Sequence, residues 1–167
     1  VGSWTNVRDY PIPVATHDAA VAGNRIYVVG GTGVAGNALR VIYFATIQAD
    51  GSLGPWTPAR DLPEGLSRHA VAAHDGFLYV TGGDDGTGAQ NAVHFARINT
   101  DGSLAPWQTS TLPAPRLYHR AVIQDNHLVI LGGSTDNITG QSTVSRALIN
   151  ANGTLGNWEP QQPMPKA

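Results

Sequence analysis

The chain has no cysteine, one lysine and few charges, with only 13% of its 167 residues being Asp, Glu, Lys or Arg, about half the usual share. Without cysteine, disulfide scaffolds, thiol nucleophiles and zinc–thiolate sites are excluded. Nine arginines, one lysine and a formal net charge of −2 leave no basic stripe, so nucleic acid is not expected as a partner. No apolar run approaches the roughly eighteen residues of a membrane span, and no stretch resembles a signal peptide, so no membrane insertion is expected. Disorder needs few apolar and many charged residues, whereas 41% of this chain is hydrophobic. At 17.5 kDa it holds one domain or slightly less.

What is plentiful is glycine (20) and proline (11), in no Gly-X-Y period, which implies many turns rather than collagen. Self-comparison explains them. Tryptophans stand at Trp4, Trp56, Trp107 and Trp158, spaced by 52, 51 and 51. Glycine pairs stand at Gly30-Gly31, Gly82-Gly83 and Gly132-Gly133, each thirteen residues after a histidine: His17, His69 and His119. The run Asp50-Gly51-Ser52-Leu53 returns as Asp101-Gly102-Ser103-Leu104 and, more loosely, as Asn152-Gly153-Thr154-Leu155. Shared spacing of independent markers defines tandem units over 4–55, 56–106 and 107–157, with 158–167 starting a further one.

Each unit reads as four short strands. His17–Ala22, His69–His74 and His119–Gln124 form the first, and a two-residue turn follows at Gly23-Asn24, Asp75-Gly76 or Asp125-Asn126. These pairs tolerate the positive φ of a type I′ hairpin. The second strand is a continuous apolar run, such as Phe77-Leu78-Tyr79-Val80, which predicts burial on both faces. A Gly-rich loop leads to the third strand, through Val41–Ile47, Ala92–Ile98 and Thr143–Ile149, and the Asp-Gly or Asn-Gly turn leads to a fourth carrying Leu-x-x-Trp. No segment has helical periodicity. A small sheet with two apolar faces is stable only when stacked on copies of itself around an axis.

Histidine, an apolar strand ending in Gly-Gly, then a spaced aromatic and Trp: this pattern resembles the kelch repeat, and segments such as Asp50–Trp56 are similar to those of bacterial kelch-like proteins. The resemblance implies an all-β chain, a kelch-type β-propeller segment of three four-stranded antiparallel blades, half of a six-bladed ring. The family's arginine before the histidine stands three residues upstream only in the third unit, as Arg116; Val14 and Leu66 replace it elsewhere. Three blades do not close, and an open arc exposes two apolar faces. The expected partner is therefore a second copy, forming a homodimer, or the rest of a longer propeller of which this is a fragment. Composition, with no Cys and little Lys, is compatible with a bacterial secreted or cell-surface protein.

Loops after the second and fourth strands share one face and are long, so binding is expected there. The expected role is a non-catalytic binding or assembly module recognising a protein or itself; a carbohydrate-binding module and a sugar-processing kelch-like enzyme are the rivals. Arg68, Arg116 and Tyr118, where first strands begin near the axis, are binding candidates, because arginine recognises carboxylates bidentately. Asp84, Asp85 and Asp136 join them as polar loop residues, although Asp84-Asp85-Gly86 and Asp136-Asn137 lack the spacing of a known calcium loop. The three histidines are assigned to structural hydrogen bonds rather than metal. Gly31–Gly36 matches G-x-G-x-x-G, yet a strand rather than a helix follows it, so no dinucleotide site is expected. Asn137-Ile138-Thr139 and Asn152-Gly153-Thr154 match glycosylation sequons. No hydrolase, metalloprotease or Walker motif occurs, the cysteine-linked tyrosine of kelch-type copper oxidases is impossible here, and no cofactor is expected.

Overall fold

The computed structural model describes residues 6–165; Trp4 lies outside them. Their regular structure is twelve strands. The first sheet is β1 (Asp18–Ala22), β2 (Arg25–Val29), β3 (Ile42–Thr46) and β4 (Thr57–Pro58). The second is β5 (Ala70–His74), β6 (Phe77–Thr81), β7 (Ala92–Arg97) and β8 (Gln108–Thr111), and the third is β9 (Arg120–Gln124), β10 (His127–Leu131), β11 (Val144–Ile149) and β12 (Leu155–Gln161). Each is an antiparallel meander in sequence order. The innermost strands β1, β5 and β9 lie side by side, the arrangement of propeller blades around an axis.

The hairpins show how local sequence sets this up. Asp75-Gly76 and Asp125-Asn126 take positive φ at both positions, as a type I′ turn requires. The first hairpin departs from that expectation. Only Gly23 is positive, the signature of a type II′ turn, which puts glycine first. The fourth strands are also displaced from expectation: β4 and β8 start just after Trp56 and Trp107, and only β12 contains its Trp158.

The two hydrophobic cores are the two junctions between sheets. Tyr27, Val29, Ile42 and Phe44 of the first sheet pack with Val71, Leu78, Val80 and Ala96 of the second. Phe77, Tyr79, Val93 and Phe95 pack with Leu128, Ile130 and Ile149 of the third. Alternation along β6 therefore feeds both cores, which is why its apolar run is unbroken and all five residues are buried. Each such side chain contributes about 1.5–3 kcal/mol by leaving water. The sheets are interdependent, because either core vanishes with either of its walls.

Close approach at the junctions relies on glycine. The turn glycines Gly102 and Gly153 lie beneath the rings of Phe44 and Phe77, where a Cβ would come within 2.5 Å. Their carbonyls accept hydrogen bonds from the Tyr27 and Tyr79 hydroxyls, at 2.9 and 3.0 Å. Burial raises the Tyr79 phenol to about 12, so it remains a donor. The tryptophans tie neighbouring sheets from outside: Trp107 Nε1 donates to Asp61 O at 2.8 Å and Trp158 Nε1 to Thr111 O at 2.7 Å.

Candidate functional site

The residues preceding β1, β5 and β9 gather at the axis on the long-loop face. Thr16, Arg68 and Tyr118 hold equivalent positions, each just before the repeated histidine, and all three are left-handed, with φ of 53, 56 and 56°. Positive φ is uncommon outside glycine, and for β-branched Thr16 it is a true outlier. Main-chain bonds hold the conformation: Arg68 N–H donates to Thr16 O at 2.9 Å and Tyr118 N–H to Arg68 O at 2.8 Å. A second bond at each junction runs from Gly31 N–H to Leu66 O and from Gly83 N–H to Arg116 O, both 2.8 Å. The anchorage is thus backbone, and the side chains on it are free to differ.

They do differ. Thr16 shares a 2.8 Å hydroxyl–hydroxyl hydrogen bond with Thr32. Arg68 forms an ion pair with Asp84, and its guanidinium lies 5.3 Å from the centre of the Tyr118 ring. Tyr118 is 50% exposed. With His17, His69 and Arg120 these three line a cavity of about 230 Å³ at the axis. Arg120 is exposed and, among the described residues, its guanidinium makes one long bond, 3.3 Å to His119 O, and no ion pair. Sequence reasoning passed over Arg120. The available signal was the residue after each repeated histidine, which changes from Asp18 to Ala70 to Arg120.

Other candidates fall to structural tasks. Arg116 is 6% exposed and donates from Nη1 to Gly132 O and Thr143 Oγ1, both at 2.8 Å, so it braces the third sheet instead of facing a ligand. Asp84 accepts from Gly86 N–H as well as from Arg68. Asp85 accepts from the Thr87 hydroxyl and N–H, and the hydroxyl, chiefly, lowers its pKa. Asp136 accepts from the Ile138 and Thr139 N–H groups and from the Ser134 and Thr139 hydroxyls, and those amides hold its carboxyl far below the usual range. Asp85 and Asp136 shape their loops. Among the described residues no three His, Asp or Glu side chains converge as a metal cluster.

The histidines divide three ways. His119 is fully buried, and its Nε2 lies 2.7 Å from Thr81 Oγ1. The Thr81 hydroxyl proton goes to Ala70 O, so Nε2 carries the imidazole proton and donates. His69 is 2% exposed and its ring nitrogens have no hydrogen-bond partner among the described residues; Val29 stands where the next sheet has Thr81. His17 is exposed. Burial lowers the pKa of His69 to about 4. Burial, with the Arg116 charge, lowers that of His119 to about 3.

Three meandering sheets around an axis, joined by glycine-floored contacts, define a segment of a β-propeller. Residues 2–159 match the KLHDC2/KLHL20/DRC7 Kelch-repeats domain, and the chain belongs to the kelch-repeat family. Beta-scruin of Limulus polyphemus is 27% identical over 143 residues, which are 81% of this chain and 15% of that protein. Alpha-scruin from the same animal is 26% identical over 78% of this chain and 14% of its own length. Human Kelch-like protein 34 is 33% identical over 54% of this chain and 14% of its own. The structure of YjhT superposes with a TM-score of 0.75 over 92% of this chain and 49% of that one, at 16% identity. The chain thus spans about one-seventh of the scruins and half of the YjhT chain.

Proposed function

We propose that the chain is a non-catalytic binding and assembly module that takes an acidic segment of a protein partner at the axial mouth of its long-loop face. The observation that carries this reading is the row of Thr16, Arg68 and Tyr118, fixed alike by the main chain and chemically different outside it. Conformational strain of this kind persists where surrounding structure overdetermines it and clusters at functional positions. Arg120 supplies an uncommitted guanidinium for a carboxylate. Arg68, already neutralised by Asp84, orients the half-exposed Tyr118 ring, which offers an apolar surface with a polar tip. Membership in the kelch-repeat family supports a binding or assembly role.

Selection of displayed peptides on the purified chain tests this. Acidic sequences are expected to enrich, and Tyr118→Ala or Arg120→Glu is expected to weaken the selected peptides at least tenfold, as loss of an interface anchor or of a charged contact does. Basic or uncharged winners would overturn the reading. Glycan binding abolished by Tyr118→Ala would replace the peptide with a carbohydrate, and turnover of a sugar by the purified chain would replace binding with catalysis.

A further inference from the structure

We propose that the short-loop face is a second binding surface: the cleft between its first two hairpins takes a lysine side chain from a basic segment of a partner protein. This cleft and the axial mouth lie on opposite faces of the arc, so one does not depend on the other.

The cleft lies at an internal junction, between the β1–β2 and β5–β6 hairpins, and has a volume of about 460 Å³, within the range of ordinary ligand sites. Comparing the two internal junctions shows why it is there. At the second junction the last residue of β5 reaches across to the neighbouring turn, with His74 Nε2 3.1 Å from Asn126 Oδ1. At the first, Ala22 stands where His74 does, each closing its own hairpin, and Gly76 stands where Asn126 does. Neither has a side chain that can bridge. A Cβ added at Gly23 or Gly76 would meet nothing within 4 Å. Both hairpins are thus in place while the link between them is missing, and the gap stays open.

The walls set the chemistry. Ala22, Ala73 and Ile98 present aliphatic surface between the turn glycines, and no Phe, Tyr or Trp lines the cleft. Asp75 stands at the rim with its side chain 80% exposed. Asp50 and Asp101 accept hydrogen bonds from Ser52 and Ser103 within their own turns. Among the described residues the Asp75 carboxylate meets only His74 Nε2, at 3.4 Å. An aliphatic stem ending in a cation suits this arrangement: the stem covers Ala22, Ala73 and Ile98 while the charge stays wet beside Asp75. Lysine fits better than arginine, whose guanidinium gains by stacking on aromatic faces that the cleft lacks.

Surrounding charge favours a segment of protein over an isolated amine. The turns of this face carry Asp50, Asp75, Asp101 and Asp125, all exposed, and no Lys or Arg. The cations at the strand ends beside them are held against aromatic rings: Arg25 lies 5.9 Å from the Phe44 centroid and Arg97 5.6 Å from that of Phe77. Arg25 also donates from Nη2 to Thr100 O at 2.9 Å. Carboxylates spaced from turn to turn can meet successive basic residues of one extended chain, whereas a single amine meets Asp75 alone. Complementary potential of this kind selects and steers a charged partner.

Titration of the isotope-labelled full chain with tetralysine, followed by its amide NMR signals, tests the cleft. Gly23, Gly76 and Ile98 are expected to shift, and the acetylated peptide is expected to leave them in place. The double variant Ala22→His, Gly76→Asn copies the second junction's bridge into the first; asparagine tolerates the positive φ of 76° found there. Asp75→Asn removes the charge and keeps the turn. Each variant should weaken tetralysine about tenfold or more, as loss of a charged contact does, with circular dichroism unchanged and acidic peptides still selected at the mouth. Shifts shared equally by all the aspartate turns, or affinity that both variants leave intact, would overturn the cleft as a site. Spermidine binding as tightly as tetralysine would overturn the protein partner in favour of a small polyamine. Tetralysine at the cleft without selection of acidic peptides would overturn the mouth reading alone.

Discussion

The first and second junctions share a frame and differ in chemistry. Both set a glycine turn under aromatic rings and bond a buried tyrosine hydroxyl to that turn's carbonyl. The first adds an arginine against an aspartate-bearing turn and leaves its buried histidine, His69, without a hydrogen-bond partner among the described residues. The second adds apolar Phe77 and provides Thr81 for His119. Backbone geometry is therefore the conserved part of a junction, and polar groups are exchanged as matched sets around it. That explains how tandem units with such different loops keep one spacing.

The comparison breaks most severely at the glycines. Gly153→Ala would set a methyl within 2.5 Å of the Phe77 ring at φ +84°, and should cost about 3 kcal/mol or more by overpacking and strain. Gly51→Ala, at φ +83° but in open space, should cost only about 1 kcal/mol of backbone strain. Chemical denaturation of the two variants measures what the packed junction adds, and equal losses would mean that the turn alone matters.

Acid should act next, through both histidines. Each native pKa lies below the ordinary value near 6.5, so the unfolded chain binds protons that the native chain refuses. Their stabilisation is complete above about pH 6.5 and is lost as pH falls toward about 4 for His69 and about 3 for His119. The loss by pH 4.5 is up to about 2–3 kcal/mol each. The depressed carboxyls of Asp85 and Asp136 act in the same direction but at lower pH, below the ordinary aspartate value near 3.9. A denaturant midpoint flat between pH 7 and 4.5 would show that the imidazoles are open to water.

Exchanging the histidine partners should have the smallest effect. Thr81→Val strands His119 Nε2 and should cost about 1–3 kcal/mol, whereas Val29→Thr gives His69 an acceptor and should gain about 1 kcal/mol. Thermal midpoints moving in opposite directions would confirm that the junctions differ here by one hydroxyl.

Much of the architecture was legible because it is periodic. Shared spacing of His, Gly-Gly and Trp pointed to the three four-stranded sheets, and the unbroken run in β6 foretold burial on both sides. The blade phase at Trp56 and Trp107 was less legible, since strand pairing there depends on β3 and β7 rather than on local pattern. Site residues were harder to read. Arg116 and Arg68 look alike in sequence, yet one is locked onto Gly132 and Thr143 while the other reaches Asp84 and Tyr118. Fates of that kind are decided by neighbours in space, from another loop or another sheet. The left-handed row was invisible for a related reason: Thr, Arg and Tyr share no propensity for positive φ, and inter-sheet bonds impose it.

Main-chain fastening of Thr16, Arg68 and Tyr118 has a consequence for how such a chain diversifies. Duplicating a unit copies the socket intact, while the head it carries drifts under its own selection. New recognition can then arise one unit at a time, without renegotiating the scaffold beneath it.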